Sequence, residues 1–343
     1  MKRGANRGEE ALLRKFERVA QKASVRSGVR LGIGDDAALW RPRNGYEAIL
    51  TCDWFLEGTH FLRDAHPPDA VGWKCLARAT SDIAAMGGTA RCFLLSLALP
   101  ESHTRDWLAR FLGGLRKASR ELDCALVGGD TTRRREILIN ITVMGQVKKG
   151  RAVLRSGARP GDRIFVSGKL GEAALGLKLL REKKRSNKGR HPSIIRHLYP
   201  EPRLALGQWL SEKRIATAMM DLSDGISSDL ARLCKASGAG ARVHSARIPA
   251  ASDPFSGEFS AEERLQAALH GGDDYELLFC VGKADAGKIP NKLHGVELTA
   301  IGEITNGRKI ELIEPSGKAR SLSAGGWDPF RSYLPRKQNR AAR

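Results

Sequence analysis

The stretch TAMMDLSDGISSDL, residues 217–230, joins a short apolar run, two aspartates and the start of a helix. The apolar run over residues 217–220 predicts a buried strand that ends at Asp221. A helix is predicted over residues 226–236, and Gly238 follows as its stop signal. A strand that leads through a polar turn into a helix is typical of α/β architecture.

The same alternation of strands and helices recurs in both halves of the chain. With 343 residues, the chain is long enough for two domains of about 150 residues each. The first half predicts a mixed sheet with helices packed on it, and the second half predicts another α/β domain. A turn-rich stretch that begins near Gly150 is the predicted boundary, which gives domains of residues 1–150 and 151–343.

The formal net charge of +20, from 58 Lys and Arg against 38 Asp and Glu, would by itself suggest a nucleic-acid partner. Most of this charge lies in residues 1–30 (+6), residues 181–197 (+6) and a basic tail, residues 331–343 (+5). The rest of the chain is close to neutral, and aromatic residues make up only 6%. We therefore expect no specific nucleic-acid binding, while salt-dependent, non-specific association through the tail stays an alternative.

No segment has the character of a signal peptide or a membrane span. Residues 9–21 have the spacing of an amphipathic helix with its basic residues outward. The longest apolar run, residues 92–100, is far shorter than the roughly 20 residues that a spanning helix needs. The six cysteines form no C-x-x-C pair, which favours buried thiols in a reducing compartment. The sequence therefore predicts a cytoplasmic protein without a membrane partner.

Aspartates stand beside glycines or at the ends of predicted elements in both halves of the chain. They are Asp35, Asp36, Asp53, Asp82, Asp130, Asp221, Asp224, Asp273 and Asp274. Burying several carboxylates together is costly unless a cation neutralises them. Oxygen ligands without a cluster of His or Cys suit Mg²⁺ rather than zinc. The alternative is that each aspartate only forms a turn or caps a helix.

Signals for phosphate binding by the backbone are weaker. The chain has no G-x-x-x-x-G-K-[ST] motif, so it is not a P-loop protein. Residues 167–171, SGKLG, follow a predicted strand and open a helix. They either offer backbone N–H groups and Lys169 to a phosphate or form an ordinary turn. Carboxylates without a nucleophile–base pair favour phosphoryl transfer, which needs positioning and neutralisation of charge by Mg²⁺.

Seven motifs follow one another in a characteristic order and spacing. They are GIGDDAA at 32–38, TCD at 51–53 with His60 and Phe61 after it, SDIAAMG at 81–87 with Lys74 before it, GGDTT at 128–132, RSGA at 155–158 with Gly161 and Asp162 after it, DLSDGISSDL at 221–230, and GGDDYEL at 271–277. Together they resemble the thiamine-monophosphate kinase family of the AIR-synthase-like superfamily, over residues 9–330.

This resemblance implies a two-domain AIR-synthase-like fold of class α/β (α+β), whose N-terminal mixed sheet has helices on one face. The N-terminal domain would bind ATP and Mg²⁺ and pair with that of a second copy, sheet to sheet, in a homodimer. ATP would lie in the cleft between the two halves. The implied reaction is direct, in-line transfer of the γ-phosphate of ATP to thiamine monophosphate, assisted by several Mg²⁺ ions, to give thiamine diphosphate.

The resemblance also implies roles for individual residues. The Mg²⁺ ligands would be Asp36, Thr51, Cys52, Asp53, Asp82, Asp130, Asp221 and Asp224, and Asp36, Asp82, Asp130 and Asp224 would act in catalysis. ATP would contact Gly129, Asp130, Arg155 and Ser223, and thiamine monophosphate would contact His60, Asp273 and Trp327. Trp327 would either stack on the cationic thiazolium ring or only anchor the chain end.

Two positions depart from the family pattern. Thr51-Cys52-Asp53 stands where the family commonly has Ser-Thr-Asp, and Asp273 stands where it commonly has Glu. A thiol is not a hard ligand, so of Thr51 and Cys52 only Thr51 could contribute its side chain to Mg²⁺. Other superfamily members stay alternatives. The absence of a cysteine before Cys52 counts against a selenophosphate synthetase, and the cysteine-free tail counts against a hydrogenase-maturation protein. A purine-pathway synthetase would need a formyl-amidine substrate, so an assay with a panel of substrates would distinguish it from a thiamine-monophosphate kinase.

Overall fold

The structure is a computed structural model that describes residues 15–17, 28–182, 191–252 and 257–330. Of the helix predicted over residues 9–21, residues 15–17 are described and are helical, and the others lie outside the described residues. Most of the three basic segments, including the tail 331–343, also lie outside them.

A four-stranded mixed sheet forms the centre of the N-terminal half. Its strand order is β3-β6-β4-β5, and two short strands, β1 (Val29–Leu31) and β2 (Leu39–Trp40), pair with each other before it. The four strands are β3 (Tyr46–Leu56), β4 (Thr89–Leu99), β5 (Ala125–Arg133) and β6 (Leu138–Lys148). Strand β6 is antiparallel to both β3 and β4, whereas β4 and β5 are parallel.

Two helices, α1 (Pro68–Ala85) and α2 (Asp106–Glu121), cover one face of this sheet. Alternate residues of β4, such as Phe93, Leu95 and Leu97, point to that face. The two helices bury them. The opposite face is open. On β3 it carries Leu50 and Trp54, which are 68% and 55% exposed.

Two glycines allow helices α1 and α2 to lie close together. A Cβ atom on Gly72 of α1 would lie 2.0 Å from the carbonyl oxygen of Phe111, and one on Gly114 of α2 would lie 1.9 Å from that of Asp69. Both glycines have ordinary helical backbone, so they are needed here for close approach rather than for a positive φ.

We expect Gly114→Ala to lower the free energy of unfolding by about 1–3 kcal/mol, because the added methyl forces the two helix backbones apart. Gly113→Ala is the matched control, since a Cβ on Gly113 would meet nothing within 4 Å. Because alanine favours the helix more than glycine does, Gly113→Ala should leave the free energy of unfolding unchanged or raise it by up to about 1 kcal/mol. Urea unfolding measures both, and equal effects of the two substitutions would contradict the close-contact argument.

The C-terminal half is built on an eight-stranded sheet. Along its main path the order is β14-β13-β9-β12-β7-β10-β8, and β11 pairs with β12. The strands are β7 (Arg163–Ser167), β8 (Ala216–Leu222), β9 (Gly240–His244), β10 (Glu276–Val281), β11 (Lys292–Leu293), β12 (Val296–Thr305), β13 (Ile310–Ile313) and β14 (Ala319–Ser321). The helices are α3 (Glu172–Arg181), α4 (Pro192–Leu198), α5 (Leu204–Lys213), α6 (Ile226–Ser237) and α7 (Ala261–His270).

Helix α1 joins the two halves. Ala84 and Ala85 at its C-terminal end pack into one hydrophobic cluster with Leu206 and Leu210 of α5 and Phe279 of β10. The last turn of α1 therefore lies at the junction of the two sheets. The domain boundary at residue 150 stays a prediction. None of the helices within the described ranges combines the length and apolar character needed to cross a bilayer.

Candidate active site

A cavity of about 630 Å³ lies where helix α1 and strand β3 meet the C-terminal sheet. Its walls come from the inner face of β3, one face of α1, helix α3, the end of β8 with the turn after it, the turn before β10, and the segment that follows β14, with one residue each from α4 and α6. Eight of the residues with a predicted site role line it: Asp53, His60, Asp82, Asp221, Ser223, Asp224, Asp273 and Trp327.

Helical spacing explains what α1 contributes. Lys74, Arg78 and Asp82 are four residues apart, so they lie along one face of α1, and this face is turned to the C-terminal half. Strand alternation explains what β3 contributes. Thr51 and Asp53 share its inner face, where the Thr51 hydroxyl donates a hydrogen bond to the Asp82 carboxylate.

The carboxylates in the cavity are close enough to repel one another. Burial, with a further contribution from the charge of Asp82, raises the pKa of Asp221 to about 8. Burial also raises the pKa of Asp53. The adjacent Arg78 partly offsets this increase, whereas the charges of Asp82 and Asp224 add to it. Carboxylates from β3, α1 and the β8 turn thus share one field, as the sequence pattern suggests for cation ligands.

Helix α6 fixes the turn that carries Asp224. The buried Asp229 carboxylate accepts the backbone N–H of Asp224 at 2.9 Å, and Arg232 bridges both carboxylates. Gly225 has a φ of 100°, and a Cβ there would lie 2.6 Å from the carbonyl oxygen of Gly271. This close approach brings the β8 turn against the turn before β10.

That second turn presents Asp273. Its backbone N–H donates to the carbonyl oxygen of Ser223 at 2.9 Å. Its carboxylate accepts hydrogen bonds from Lys74 Nζ at 2.9 Å and from the Tyr275 hydroxyl at 2.7 Å. Although burial by itself raises the pKa of Asp273, the charges of Lys74 and nearby cations hold it well below its usual range. Asp273 is therefore ionised at neutral pH.

His60 is a neutral hydrogen-bond donor. Its Nδ1 accepts the backbone N–H of Leu56 at 3.0 Å, which assigns the proton to Nε2. Burial, together with the charge of Arg78, lowers the pKa of His60 to about 4. His60 can therefore donate from Nε2 to a ligand at neutral pH without adding charge to the site.

Other predicted site residues lie outside this cavity. Asp36 is exposed in a turn, where its backbone N–H contacts the Asp35 carboxylate at 2.8 Å. Gly129 and Asp130 lie on β5, separated from β3 by β6 and β4, or roughly 14 Å at the usual strand spacing. Arg155 is exposed in the connection between β6 and β7. A single chain thus brings together four of the six predicted carboxylate ligands.

The side chain of Cys52 points away from the cavity. Its thiol lies on the outer face of β3, against the Asn140 side chain and away from Thr51 and Asp82. Strand alternation dictates this placement, because neighbouring residues point to opposite faces. Only the backbone of Cys52 is thus available on the cavity side, while the Thr51 side chain already contacts Asp82.

The turn over residues 167–171 is an ordinary turn rather than a phosphate-binding loop. The Asp274 carboxylate accepts the backbone N–H groups of Gly171 and Ala173 at 2.6 and 3.2 Å. A carboxylate therefore already occupies the start of α3, where a phosphate would bind. Lys169 is directed to the Ser252 hydroxyl.

The donor chemistry of the cavity fits Mg²⁺, although not as a closed protein cage. Within residues 28–182, 191–252 and 257–330, no three Asp, Glu, His or Cys side chains lie close enough to enclose a metal ion. Mg²⁺ is usually held by one or two carboxylates together with substrate phosphates and water. Asp53, Asp82, Asp221 and Asp224, which line one cavity and repel one another, meet that requirement.

Comparison with known proteins places the chain in a family. Family models for "AIR synthase related protein" match in two parts, the N-terminal domain at residues 34–147 and the C-terminal domain at residues 159–314. The thiamine-monophosphate kinase of Escherichia coli (strain K12) is 38% identical over 94% of this chain and 98% of its own length. The chain belongs to the thiamine-monophosphate kinase family.

Solved structures of thiamine-monophosphate kinases have the same fold. The enzyme from Stenotrophomonas maltophilia K279a is 34% identical with a TM-score of 0.78, over 90% of this chain and 95% of that chain. AaThiL complexed with AMPPCP and TMP is 32% identical with a TM-score of 0.72, over 84% of this chain and 89% of that chain. The predicted two-domain AIR-synthase-like fold is thereby confirmed.

Sequence analysis assigned no site role to several residues that build the cavity of this thiamine-monophosphate kinase family member. Arg78, Arg232, His197 and Tyr275 line it beside the predicted residues, and the buried Lys74 holds Asp273. One signal was available, since Lys74 and Arg78 share the helix face of Asp82 at a spacing of four residues. The contact of His197 with this face depends on how α4 packs, which no local pattern shows.

Proposed function

We propose that this chain transfers the γ-phosphoryl group of ATP directly to the phosphate of thiamine monophosphate, giving thiamine diphosphate and ADP. The observation that carries the proposal is one cavity that combines four carboxylates with His60, Asp273 and Trp327. A solved relative is complexed with AMPPCP and TMP, ligands of the same two chemical classes.

Charge decides what the cavity must do. Both ligands carry phosphates, and their mutual repulsion must be offset before the acceptor oxygen can approach the γ-phosphorus in line. Bound Mg²⁺ would supply this neutralisation. Asp53, Asp82, Asp221 and Asp224 would hold the ions from within the cavity. Asp36, Asp130, Thr51 and the backbone of Cys52 are further proposed ligands.

Other residues of the cavity wall suit the organic part of thiamine monophosphate. Its thiazolium ring is cationic, and the ionised Asp273 faces the same cavity as the indole of Trp327. A cation placed over an indole face is stabilised by about 0.5–2 kcal/mol. His60 can donate a hydrogen bond without placing a like charge beside the thiazolium ring.

A second copy of the chain would explain the residues that lie outside the cavity. Strand register aligns Asp130 with Ser96, Asn140 and Trp54 along the open face of the N-terminal sheet. Leu50 and Trp54 make this face apolar. We propose a homodimer that pairs these faces, in which Asp130, Gly129 and Arg155 help to bind ATP together with Ser223.

We also propose a cytoplasmic location. All six cysteines are unpaired, and five of them are buried: Cys75, Cys92, Cys124, Cys234 and Cys280. Free, buried thiols are typical of proteins in reducing compartments.

The direct test incubates the purified protein with ATP, Mg²⁺ and thiamine monophosphate and follows thiamine diphosphate by chromatography. We expect equal amounts of thiamine diphosphate and ADP. Unphosphorylated thiamine serves as the control acceptor, because it lacks the phosphate that attacks. The absence of thiamine diphosphate from protein that still binds ATP would refute the proposal.

A further inference from the structure

Arg78 is a charged group in the cavity wall to which the proposed roles assign nothing. It lies on α1 one turn after Lys74 and one turn before Asp82, and its side chain is 14% exposed. The guanidinium carbon stands 5.4 Å from the centroid of the Phe55 ring, a cation–π contact that supports it from one side.

Two of the three nitrogen atoms of the Arg78 guanidinium lack a hydrogen bond within the part of the chain that the structure describes. Among the described residues, its Nε and Nη1 atoms have no hydrogen-bond partner. Its nearest acid is Asp53, which forms an ion pair with Arg78 in which Oδ2 lies 3.6 Å from Nε, longer than a hydrogen bond. Arg203 shows the usual arrangement, since its buried guanidinium makes two hydrogen bonds to Glu276. A largely buried donor without a bond is costly, and an added acceptor would remove that cost.

Arg78 also lies close to both groups of proposed ligands. It shares the cavity with Asp53 and Asp82, which are proposed to hold the cations, and with His60 and Asp273, which are proposed to hold thiamine monophosphate. Electrostatic interactions connect it with both sides, with Asp53 and Asp82 as well as with Asp273. The acceptor phosphate has to reach the proposed cations while the organic part of the substrate contacts His60 and Trp327, so we expect it close to Arg78.

We propose that Arg78 binds the phosphate group of thiamine monophosphate and so selects a phosphorylated acceptor. This inference rests on the proposed function. The planar guanidinium can donate two parallel hydrogen bonds to phosphate oxygens. Assignment to the acceptor rather than to the nucleotide follows from the neighbours. Three of the four residues proposed to contact ATP, Gly129, Asp130 and Arg155, lie outside this cavity and only Ser223 lines it, whereas all three acceptor residues line it.

The test compares the affinities of thiamine monophosphate and thiamine, which differ only by the phosphate. Calorimetry would measure both for the wild type, Arg78→Met and Arg78→Lys. We expect Arg78→Met to weaken thiamine monophosphate binding by about 10- to 100-fold and to leave thiamine binding unchanged, as loss of charge-assisted hydrogen bonds requires. Arg78→Lys should recover part of the loss, since it keeps the charge but not the paired donors.

Arg91→Met is the matched control. The Arg91 side chain is 9% exposed, and its Nε also lacks a partner among the described residues, but it lies on β4 outside the cavity. We expect this control to bind both ligands as the wild type does.

Equal weakening of thiamine and thiamine monophosphate binding by Arg78→Met would overturn the proposal. So would an effect confined to the ATP and Mg²⁺ dependence, because that would make Arg78 a counter-charge for Asp53. If Arg78→Met does not fold, the ratio of thiamine monophosphate affinity to thiamine affinity in Arg78→Lys decides the question. A wild type that fails to form thiamine diphosphate would refute the proposed function, while the binding comparison would still decide the role of Arg78.

Discussion

Replacing Asp82 by asparagine is expected to lower kcat for thiamine diphosphate formation by on the order of 10²- to 10³-fold, the usual cost of losing one electrostatic contact to a transition state. Asp82 is central to the carboxylate set. Its charge acts on both Asp53 and Asp221. Asparagine has the same shape but cannot supply the negative charge that the proposed Mg²⁺ requires.

The fold should survive this substitution. An asparagine side chain can still accept the hydrogen bond from Thr51, and it removes a charge that now repels its neighbours. We expect the free energy of unfolding of Asp82→Asn to equal or exceed that of the wild type. Urea unfolding and single-turnover kinetics on the same preparations would separate the two effects.

Asp106→Asn provides the comparison. Asp106 is an exposed residue in the first turn of α2, outside the cavity, so its replacement should leave turnover within about twofold of the wild type. Near-normal turnover of Asp82→Asn would mean that Asp82 is not a metal ligand. A loss shared equally by both variants would point to a general defect instead.

The carboxylates of the cavity could be found from the sequence because their positions are local. Asp53 lies in a strand, Asp82 near the end of a helix, and Asp221 and Asp224 at a strand-to-helix turn, which is where α/β folds present polar groups. Strand alternation would also have separated Cys52 from Thr51 without any structure, since neighbouring residues face opposite ways.

Other features depend on strand order and long-range pairing. The positions of Gly129 and Asp130 follow from β5 lying at the far edge of the sheet, and the order β3-β6-β4-β5 is not encoded in any single motif. The Asp274 carboxylate accepts N–H groups at the start of α3, although Asp274 lies 103 residues after Gly171 in the chain. Such contacts become visible only when elements far apart in the sequence have packed.

Lys74 is the clearest case of a long-range contact, and it forms part of a buried polar chain. Its ammonium group contacts Asp273 at 2.9 Å and His197 Nδ1 at 3.3 Å, and His197 Nε2 lies 2.9 Å from Nε2 of His66. The Lys74 side chain is only 1% exposed. Burial lowers the pKa of Lys74, and the charge of Asp273 opposes that decrease. The ammonium therefore depends on Asp273 for its stability inside the protein.

Lys74→Met is accordingly expected to lower the free energy of unfolding by about 1–3 kcal/mol, because it leaves the Asp273 carboxylate, whose side chain is only 29% exposed, without its main partner. The double variant Lys74→Met/Asp273→Asn should recover much of this loss, since it removes the uncompensated charge as well. Lys288→Met is the control. Lys288 pairs with Asp285 at the surface, and such exposed pairs contribute about 0–1 kcal/mol.

The effect should also depend on pH in a defined direction. The pKa of Asp273 is lower in the folded chain than in the unfolded one, so the pair stabilises the fold above the unfolded value and loses this effect as the pH falls towards the folded value. The difference between wild type and Lys74→Met, measured by urea unfolding, should therefore be large at pH 7 and decrease in acid. If the difference in the free energy of unfolding stays constant from pH 7 to pH 3, Lys74 contributes only by packing. The same conclusion follows if the double variant loses as much stability as Lys74→Met and Asp273→Asn lose together.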